Sequence, residues 1–288
     1  MVEWMRNARP DLQFPVFGED GGDAGIAVAH CPERVLPGHI VREIVENDRI
    51  IGGVTPQCAS RAQELYKLFI EADCLLTDCR TAELTKLTEN SFRDVNIAFA
   101  NELSVISDKL DVDVWDLIKL ANRHPRVDIL RPGPGVGGHC IAVDPWFIVA
   151  STPKEARLIR MARDVNDAKP TYVVEKAITA AERFKNPVIA CMGLSYKPDI
   201  DDLRESPALD ITETLCDSKV GEILVVEPNV DAMPPALADK KNATFCDAAT
   251  AIDKADIVVL LVGHRAFKEI NRNTLNQKVV IDTQGLFA

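Results

Sequence analysis

The sequence lacks any pair of cysteines at the Cys-x-x-Cys spacing of zinc sites and redox motifs. Its eight cysteines, at positions 31, 58, 74, 79, 140, 191, 216 and 246, are spread along 288 residues, and most lie in apolar stretches such as VIACMGL. This distribution is typical of buried, reduced thiols in a cytosolic enzyme and argues against a disulfide framework. Cys140 differs from the others because it follows a run of glycines.

The chain also lacks an excess of positive charge and any apolar run long enough to span a bilayer. Its 33 Lys and Arg stand against 44 Asp and Glu, a formal net charge of -11, which repels nucleic-acid phosphates and anionic lipid. The first residues, MVEWMRNARPDLQF, have neither the apolar stretch nor the cleavage site of a secretory signal. We therefore expect a globular, cytoplasmic protein that binds neither nucleic acid nor membrane.

A further absence concerns the first part of the chain, where no strand with a glycine-rich turn and a helix precedes Ala24. From there to Val54, two short apolar runs, AGIAVAHCPE and RIIGGV, predict strands separated by a loop that contains Pro and Gly. Thr55 and Pro56 predict the start of a helix that extends to about Glu71, and CLLTDC predicts another strand. Strand, helix and strand in this order are typical of the last part of a parallel α/β sheet.

The middle of the chain is predicted to be helical. Residues 80–110 carry apolar side chains close to the helical period and predict one long helix. Asp113 is placed to cap a second helix, VWDLIKLANR. An irregular stretch, 126–146, separates this helix from residues 153–184, which return to helix with an interruption or bend at Pro170.

From Val188 onwards, apolar strands alternate with helices. Four strands are expected at VIACMGLSY, EILVVEP, DIVVLLVG and KVVIDTQ, with helices at SPALDITETLCDS and DAATAIDKA. This alternation predicts a small, doubly wound parallel domain of Rossmann type, so the fold class is α/β.

Residues 133–138, Gly-Pro-Gly-Val-Gly-Gly, match the dinucleotide fingerprint GxGxxG letter for letter. The fingerprint works when a strand leads in and a helix leads out, so that the helix N-terminus holds the pyrophosphate. HCIAVDPW follows here, with Pro145 five residues after Cys140 and no predicted helix start. We therefore interpret the glycines as a loop whose backbone can pass close to a ligand while presenting Cys140.

Cys140 itself has two interpretations. A small buried thiol is the ordinary one. A nucleophile is the other, because the Gly-Gly pair gives access to the thiol, His139 lies beside it and Asp144 follows four residues on. The residues alone leave both open.

Two sets of polar residues raise the same question. Lys86, Asn90 and Arg93, at i, i+4 and i+7 of the long helix, form a stripe that is either functional or an ordinary solvated face. Lys197 and Arg204 follow the first strand of the C-terminal domain, where open α/β sheets bind ligands. Two basic groups there suit a diphosphate, although they could equally be ordinary charged residues of the protein surface.

Five stretches occur in order and at the spacing of a known family: CPERVLPG (31–38), ELTKLTENSFRDVNIAFANEL (83–103), NRHPRV (122–127), PGPGVGGHCIAVDPWF (132–147) and GLSYKPDIDDLRESPALDI (193–211). They resemble the UDP-glucose and UDP-N-acetylmannosamine dehydrogenase family over nearly the whole chain. The PERVLPG and GVGGHCIAVDPW forms resemble its N-acetylmannosamine branch.

The resemblance implies an NAD-dependent enzyme that oxidises the C6 hydroxyl of a UDP-sugar twice, to aldehyde and then to carboxylate. Cys140 would form a thiohemiacetal and then a thioester, which water releases as the uronate. Lys86 and Asp144 match acid/base and water-handling positions, and Asn90 and Lys86 match groups that stabilise oxyanions. Glu33 matches a carboxylate implicated in proton transfer.

Other positions match binding residues of the family. Lys197 corresponds to a lysine of the UDP site and Arg204 to a residue that contacts NAD. Arg126 corresponds to a residue that reaches across a homodimer interface into the neighbouring site. The positions that match substrate contacts are Arg34, Val35, Arg93, His124, Arg126 and Gly137.

The resemblance also implies three parts. They are a partial N-terminal Rossmann remnant of the NAD-binding domain (1–79), a central long-helix dimerisation region with the catalytic loop (80–182) and a C-terminal Rossmann-like UDP-binding domain (183–288). Where the family has a basic residue in a D-T-[KR]-G pattern, this sequence has Gln284, which keeps a hydrogen bond but loses the charge.

Because the NAD fingerprint is absent, we expect the 288-residue chain alone to bind UDP-sugar without NAD-dependent turnover. Its uncovered sheet edges should favour association. Three other functions stay open: a catalytically silent UDP-sugar-binding or dimerisation fragment, a dehydrogenase for another UDP-sugar, and a thiol hydrolase that uses Cys140 and His139. The last is disfavoured because adjacent residues rarely orient as nucleophile and base.

Overall fold

The computed structural model describes three ranges of the chain, 2–18, 25–35 and 40–287. Ala24, with which the first predicted strand begins, lies outside these ranges, as do residues 36–38 of the CPERVLPG motif. The chain divides into two compact units, residues 1–89 and residues 90–288.

Unit 1 is built on a small sheet. Its elements are α1 (Val2–Ala8), β1 (Ala29–His30), α2 (Ile40–Glu46), β2 (Arg49–Gly53), α3 (Pro56–Tyr66), β3 (Cys74–Asp78) and the first part of α4 (Cys79–Lys109). The strand order is β1-β2-β3, with β2 and β3 parallel and β1 antiparallel to β2. The predicted strand, helix and parallel strand are therefore confirmed, whereas the helix α2 lies in the region expected to be a loop.

The start of α3 follows directly from its sequence. Thr55 is the N-cap and its Oγ1 accepts a hydrogen bond from the Cys58 backbone N–H, while Pro56 occupies the first turn. The helix ends at Tyr66, five residues before the predicted end. Gly53 allows the close approach of β2 to α3, because a Cβ there would lie 2.4 Å from the Ala59 nitrogen.

Unit 2 begins within α4 and contains the second, larger sheet. Its further elements are α5 (Val114–Ala121), α6 (Asp144–Ser151), α7 (Arg157–Ala181), β4 (Val188–Met192), α8 (Pro207–Ser218), β5 (Glu222–Val226), β6 (Ala243–Phe245), α9 (Ala248–Lys254), β7 (Ile257–Leu260) and β8 (Val279–Asp282). Short 3-10 helices cover Pro235–Leu237, Arg265–Glu269 and Arg272–Leu275. The sheet is parallel throughout, in the order β6-β5-β4-β7-β8.

This order confirms the doubly wound Rossmann-like domain, with one correction. Five strands are present rather than four, because the three-residue strand β6 was not predicted. Alternate residues of β4 point to opposite faces of the sheet and belong to two hydrophobic cores. Ile189 and Cys191 pack with α7 and α8. Ala190 and Met192 pack with α9 on the other face. Both faces of the sheet are therefore covered.

The two longest described helices, α4 with 31 residues and α7 with 25, keep their helical course throughout. Pro170 lies inside α7 without ending it, so of the two predicted alternatives the interruption is wrong and the bend stays a prediction. Both helices carry many charged residues. Among the described residues, no helix combines the length and the apolar character that crossing a membrane requires.

Candidate functional site

The glycine loop, residues 132–138, packs against the loop that follows β4. A Cβ at Gly137 would lie 2.3 Å from the Glu205 carbonyl oxygen and 2.6 Å from Pro207. Gly138 has a φ of 85°, which favours glycine, and its N–H donates to the same carbonyl at 3.2 Å. Glycine is therefore required here for the close approach of two protein backbones, whereas the predicted approach to a ligand stays a prediction.

Cys140 lies at the end of this loop and is exposed. Its carbonyl oxygen accepts hydrogen bonds from the backbone N–H groups of Val143 and Asp144, at 3.1 and 2.8 Å, and α6 begins at Asp144. The expectation of no helix start after the loop is thus wrong: Pro145 sits in the first turn, where its missing N–H costs nothing. No strand leads into the loop, so the arrangement still differs from a dinucleotide fingerprint.

Asn90 and Asp144 form a direct pair beside this turn. The Asn90 side chain is buried, and its Nδ2 donates to Asp144 Oδ2 at 2.5 Å. Asp144 in turn is tied through its backbone to the carbonyl of Cys140. The structure therefore connects three of the predicted catalytic residues through one chain of hydrogen bonds.

A buried polar chain joins the glycine loop to the two long helices. Asn101 on α4 accepts the Gly133 N–H at 2.8 Å and donates to Asn166 on α7 at 2.9 Å. Asn166 donates to Asp94 Oδ1 at 2.8 Å, and Arg163 donates to the same oxygen at 2.6 Å. Sequence analysis missed this chain because its members are ordinary polar positions of two separate helices.

A cavity of about 350 Å³ opens next to the glycine loop. Three cationic side chains line it, those of Arg93, Arg131 and Lys197, and none of the described residues that line it is acidic. Gly137, another predicted substrate contact, belongs to the same wall. An anion with two negative charges suits such a cavity.

Arg131 was not among the predicted site residues. It directly precedes Pro132, and its guanidinium lies 5.4 Å from the centre of the Trp115 ring. A basic residue at the entry of a glycine-rich loop is the one signal in the sequence that could have identified it.

Gln284 lines the same cavity at the position where a basic residue was expected. Its Nε2 donates to the Leu261 carbonyl oxygen at 2.8 Å, just beyond β7. The amide therefore holds two neighbouring strand ends together, and no positive charge enters the cavity from this side.

Three of the remaining predicted residues of unit 2 lie on exposed surface. His124 and Arg126 follow α5, and His124 Nδ1 accepts the Arg126 backbone N–H at 3.3 Å. Arg204, the predicted NAD contact, forms a two-pronged ion pair with Asp202, at 2.9 and 2.7 Å. This pairing lowers the pKa of the Asp202 carboxyl to about 2.

Two of the predicted residues of unit 1, Glu33 and Arg34, form ion pairs. Glu33 Oε1 accepts the Arg34 backbone N–H at 2.8 Å, and its Oε2 lies 3.1 Å from Nη1 of the buried Arg49. The Arg34 guanidinium pairs with Glu89 at 2.8 Å. Val35 is half-buried beside them, and Lys86 lies on the part of α4 that belongs to unit 1.

Unit 1 also contains a cavity of about 460 Å³ at the carboxyl ends of β2 and β3. Gly53, Thr55 and Asp78 are among its lining residues. The carboxyl ends of parallel strands are where α/β sheets bind nucleotides. The first turn of α3 borders this cavity, and there Thr55 caps the helix by accepting the Cys58 N–H.

Three family models match the chain in order. They describe the UDP-glucose/GDP-mannose dehydrogenase family: its NAD binding domain matches residues 9–70, its central domain residues 80–168 and its UDP binding domain residues 190–288.

Individual relatives cover the whole of this chain. An NDP-N-acetyl-D-galactosaminuronic acid dehydrogenase of Ralstonia nicotianae is 59% identical over 100% of this chain and 67% of its own length. A UDP-N-acetyl-D-mannosamine dehydrogenase of Escherichia coli (strain K12) is 54% identical over 100% of this chain and 69% of its own length.

Among solved structures, a UDP-D-ManNAc dehydrogenase of Pyrococcus horikoshii superposes with a TM-score of 0.83 at 34% identity and covers 99% of this chain. The chain spans 65% of that structure and about two thirds of the curated relatives. The motifs, the parallel α/β fold and these matches agree, and the chain belongs to the UDP-glucose/GDP-mannose dehydrogenase family.

Proposed function

We propose that this chain carries the catalytic and sugar-nucleotide-binding parts of an NAD-dependent UDP-sugar 6-dehydrogenase. The single observation that supports this most directly is the cavity lined by Arg93, Arg131 and Lys197, which lies against the glycine loop that leads to Cys140. A nucleotide diphosphate matches the charge of the cavity, and the loop offers a nucleophile to a sugar attached to it.

The proposed substrate is UDP-N-acetyl-D-mannosamine. The Escherichia coli relative carries this sugar in its name, and the GVGGHCIAVDPW form resembles the same branch. The Ralstonia nicotianae relative, named for a galactosaminuronic acid, supports a second candidate, another nucleotide-linked acetamido sugar. Comparison of the two UDP-sugars as substrates at equal concentration distinguishes these candidates.

In the proposed chemistry the C6 hydroxyl is first oxidised to an aldehyde, and Cys140 acts on that aldehyde. Its thiolate adds to the C6 aldehyde to give a thiohemiacetal, whose oxidation gives a thioester, and water displaces the thiol to release the uronate. Sulfur suits both steps because it is a good nucleophile and a good leaving group. NAD, when bound, supplies the acceptor for the two electrons of each oxidation.

Asn90 and Asp144 are proposed to act around the sulfur. In this proposal the Asn90 amide, which donates to Asp144 at 2.5 Å, stabilises an oxyanion, and the Asp144 carboxylate takes a proton from the attacking water. Lys86 and Glu33 are proposed for acid/base roles on the basis of the resemblance. His139 is not proposed as a base, because in the described part of the chain it forms no hydrogen bond with the Cys140 thiol.

The residues present fit NAD only in part. The cavity at the ends of β2 and β3 in unit 1 offers room for one portion of the cofactor. From the resemblance alone, Arg204 is proposed to contact NAD in place of its present partner Asp202. No described residues form the strand, glycine-rich turn and helix that hold a pyrophosphate. The proposed three-part division, at residues 79/80 and 182/183, places the part that matches the NAD binding domain first.

The remaining substrate contacts are proposed from the resemblance and from exposure. Arg34, Val35, His124 and Gly137 are assigned to the sugar nucleotide, and Arg126 to the site of a partner subunit. A cytoplasmic location is also proposed, since all eight cysteines are free.

Lys197→Ala is expected to weaken UDP binding by about 1.5 to 3 kcal/mol, roughly 10- to 150-fold, because a charge-assisted contact to the diphosphate is lost. Isothermal titration calorimetry with UDP measures the change. Lys185→Ala, an exposed lysine at the amino end of β4, is the matched control and should bind like the unaltered chain. Equal dissociation constants for Lys197→Ala and the control would place Lys197 outside the site.

A homodimer is proposed through an apolar stripe on α4 formed by Phe92, Phe99 and Ile106. These side chains recur every seven residues and are 67%, 51% and 45% exposed. A second copy is the proposed occupant, because a stripe with this repeat can pack against itself along a two-fold axis. Arg126, exposed after α5, then has a neighbouring subunit to reach.

Phe99→Glu is expected to convert this dimer to monomers, because packing the stripe would bury a carboxylate without a partner. Sedimentation velocity over a range of protein concentrations measures the change. Leu120→Glu is the control, since Leu120 on α5 is 70% exposed and lies outside the stripe. A Phe99→Glu protein that sediments as a dimer would exclude this face.

A further inference from the structure

The loop that carries Lys197, residues 194–199, is stabilised by hydrogen bonds to two buried side chains, Glu227 and His264. Glu227 follows β5, the loop follows β4, and His264 follows β7, so the three come from adjacent strands at their carboxyl ends. The side chains of Glu227 and His264 are both 0% exposed and lie 3.1 Å apart. Neither residue lines the cation-lined cavity.

The pair binds both ends of the loop. At the first end, Glu227 Oε2 accepts the backbone N–H groups of Leu194 and Ser195, at 2.7 and 3.1 Å. At the second end, His264 Nδ1 lies 2.9 Å from the Asp199 nitrogen. Since a backbone N–H can only donate, Nδ1 is the unprotonated nitrogen, and Nε2 carries the hydrogen that is donated to Glu227.

The loop between these ends is stabilised further from within. The Ser195 hydroxyl donates to the Lys197 carbonyl oxygen at 2.8 Å, and the Asp199 carboxylate pairs with Arg265 at 2.9 Å. Lys197 itself is exposed into the cavity, with its backbone fixed on either side. The backbone that carries the Lys197 side chain is therefore held by contacts within the protein, and Glu227 and His264, which make part of them, do not line the cavity.

Glu227 also occupies an informative place in the topology. With β4 counted as the first strand of the order β6-β5-β4-β7-β8, Glu227 ends the second strand, where dinucleotide-binding domains carry the acid that binds ribose hydroxyls. Here both carboxylate oxygens are used internally, since Oε1 accepts the Asn229 N–H at 3.0 Å. Burial alone raises the pKa of Glu227, but the hydrogen bonds from His264 and Leu194 lower it, so the group is an anion.

We propose that His264 and Glu227 are positioning residues that fix the Lys197 loop in the geometry required to bind the nucleotide diphosphate. The inference rests on the proposed role of Lys197 in the same cavity. In dinucleotide-binding domains the acid at the position of Glu227 binds the ribose of the ligand. In this domain the same position is inferred to stabilise the Lys197 loop instead.

His264→Phe tests the proposal, because phenylalanine fills the ring space and removes the hydrogen bonds of His264 with Glu227 and with the Asp199 N–H, together with its contacts to Asn229 and Ser195. UDP titration by calorimetry is expected to show about tenfold weaker binding, the scale of one or two lost hydrogen bonds. His264→Asn should recover part of the affinity, since its Oδ1 can accept the Asp199 N–H as Nδ1 does. Hydrogen exchange of the Asp199 amide should be slow in the unaltered chain and fast in His264→Phe.

The deciding measurement is a double-mutant cycle with Lys197→Ala. If His264 acts through Lys197, His264→Phe changes the UDP dissociation constant by less than about twofold once Lys197 is alanine. The same tenfold loss in both backgrounds would show a general effect on the fold and overturn the proposal. Full affinity in His264→Phe would overturn it too, while leaving the role of Lys197 intact.

Glu227→Gln provides an independent variant should His264→Phe fail to fold. Both carboxylate oxygens of Glu227 accept hydrogen bonds from donors. Glutamine has the same shape but replaces one oxygen by an NH2 group. In either orientation of the amide, this NH2 group faces a donor and a hydrogen bond is lost. Weaker UDP binding that disappears in the Lys197→Ala background supports the proposal, and unchanged binding contradicts it. If Lys197→Ala alone leaves UDP binding unchanged, the proposed function of the cavity is what fails.

Discussion

Cys140→Ser is expected to lower uronate production by about a thousandfold or more, the scale on which loss of a covalent nucleophile usually acts. A serine hydroxyl forms its anion far less readily than a thiol, and an ester releases its alcohol more slowly than a thioester releases its thiol. The assay joins this chain to a complete NAD-binding domain from a relative. It follows absorbance of reduced cofactor and, separately, the uronate by mass spectrometry.

Cys246→Ser is the matched control. Cys246 is half-buried next to the apolar core on the α9 face, and its replacement should leave the rate unchanged. Uronate production by Cys140→Ser at the unaltered rate would remove Cys140 from the mechanism. A fused protein that binds UDP-sugar but makes no uronate even with Cys140 present would instead support the catalytically silent alternative.

The long elements of the fold were predictable because their signals extend over many residues. The helical period through residues 80–110 identifies α4 to within one residue at each end, and Asp113 caps α5 as expected, accepting the Trp115 and Asp116 N–H groups. Short elements gave no such signal. The strand β6 has three residues, and α2 has seven that follow a stretch rich in Pro and Gly, so neither shows a period that can be recognised.

The chemical motif was easier to locate than the binding cavity. Cys140 and its glycine loop are contiguous in sequence, so the loop could be recognised directly. The cavity is assembled from segments far apart in the chain: Arg93 on α4, Arg131 before the glycine loop, Lys197 after β4 and Gln284 after β8. Sequence reasoning reached two of its three cations, through the family motifs, and missed Arg131, whose position just before the glycine loop was not used as a signal.

The helix that starts at Asp144 shows why the local prediction failed. Pro145 disfavours a helix interior, but proline is accepted in the first turn, where its nitrogen needs no partner. The turn is closed by the Cys140 carbonyl, which accepts two N–H groups. The feature that disfavours a helix interior is compatible with a helix start, and only the hydrogen-bonding context separates the two.

Helices α4 and α7 are joined by a buried ion pair, and breaking this pair is expected to destabilise unit 2 strongly. Arg163 is 2% exposed and donates to Asp94, which is fully buried, at 2.6 Å; it also pairs with Asp167. Burial raises the pKa of Asp94 even though Arg163 acts in the opposite direction. The pair therefore offsets only part of the cost of removing the carboxylate from water.

Arg163→Met is expected to lower the free energy of unfolding of unit 2 by about 3–5 kcal/mol, because the Asp94 carboxylate is left buried without a cation. The double variant Asp94→Leu with Arg163→Met should recover most of this loss, since apolar side chains remove both charges. Urea unfolding measures the effect through Trp115 and Trp146, in a Trp4→Phe background that removes the only tryptophan of unit 1. Lys240→Met breaks the more exposed pair with Asp217 and is the control, with an expected loss below about 1 kcal/mol.

The loss of unfolding free energy caused by Arg163→Met should also depend on pH, and because Asp94 is buried we expect this loss to grow as the pH rises. Without Arg163, the pKa of Asp94 in the folded state lies still further above its unfolded value, so the folded state binds the extra proton. A raised pKa contributes stability below the unfolded value, and this contribution is lost as the pH rises through the folded pKa. The variant should therefore approach the unaltered chain in stability near pH 5 and fall behind it at pH 8, while Asp94→Leu with Arg163→Met shows no such trend. A deficit that is the same at both pH values would mean that Asp94 is neutral or solvated in the variant, and that the pair does not carry the cost assigned to it.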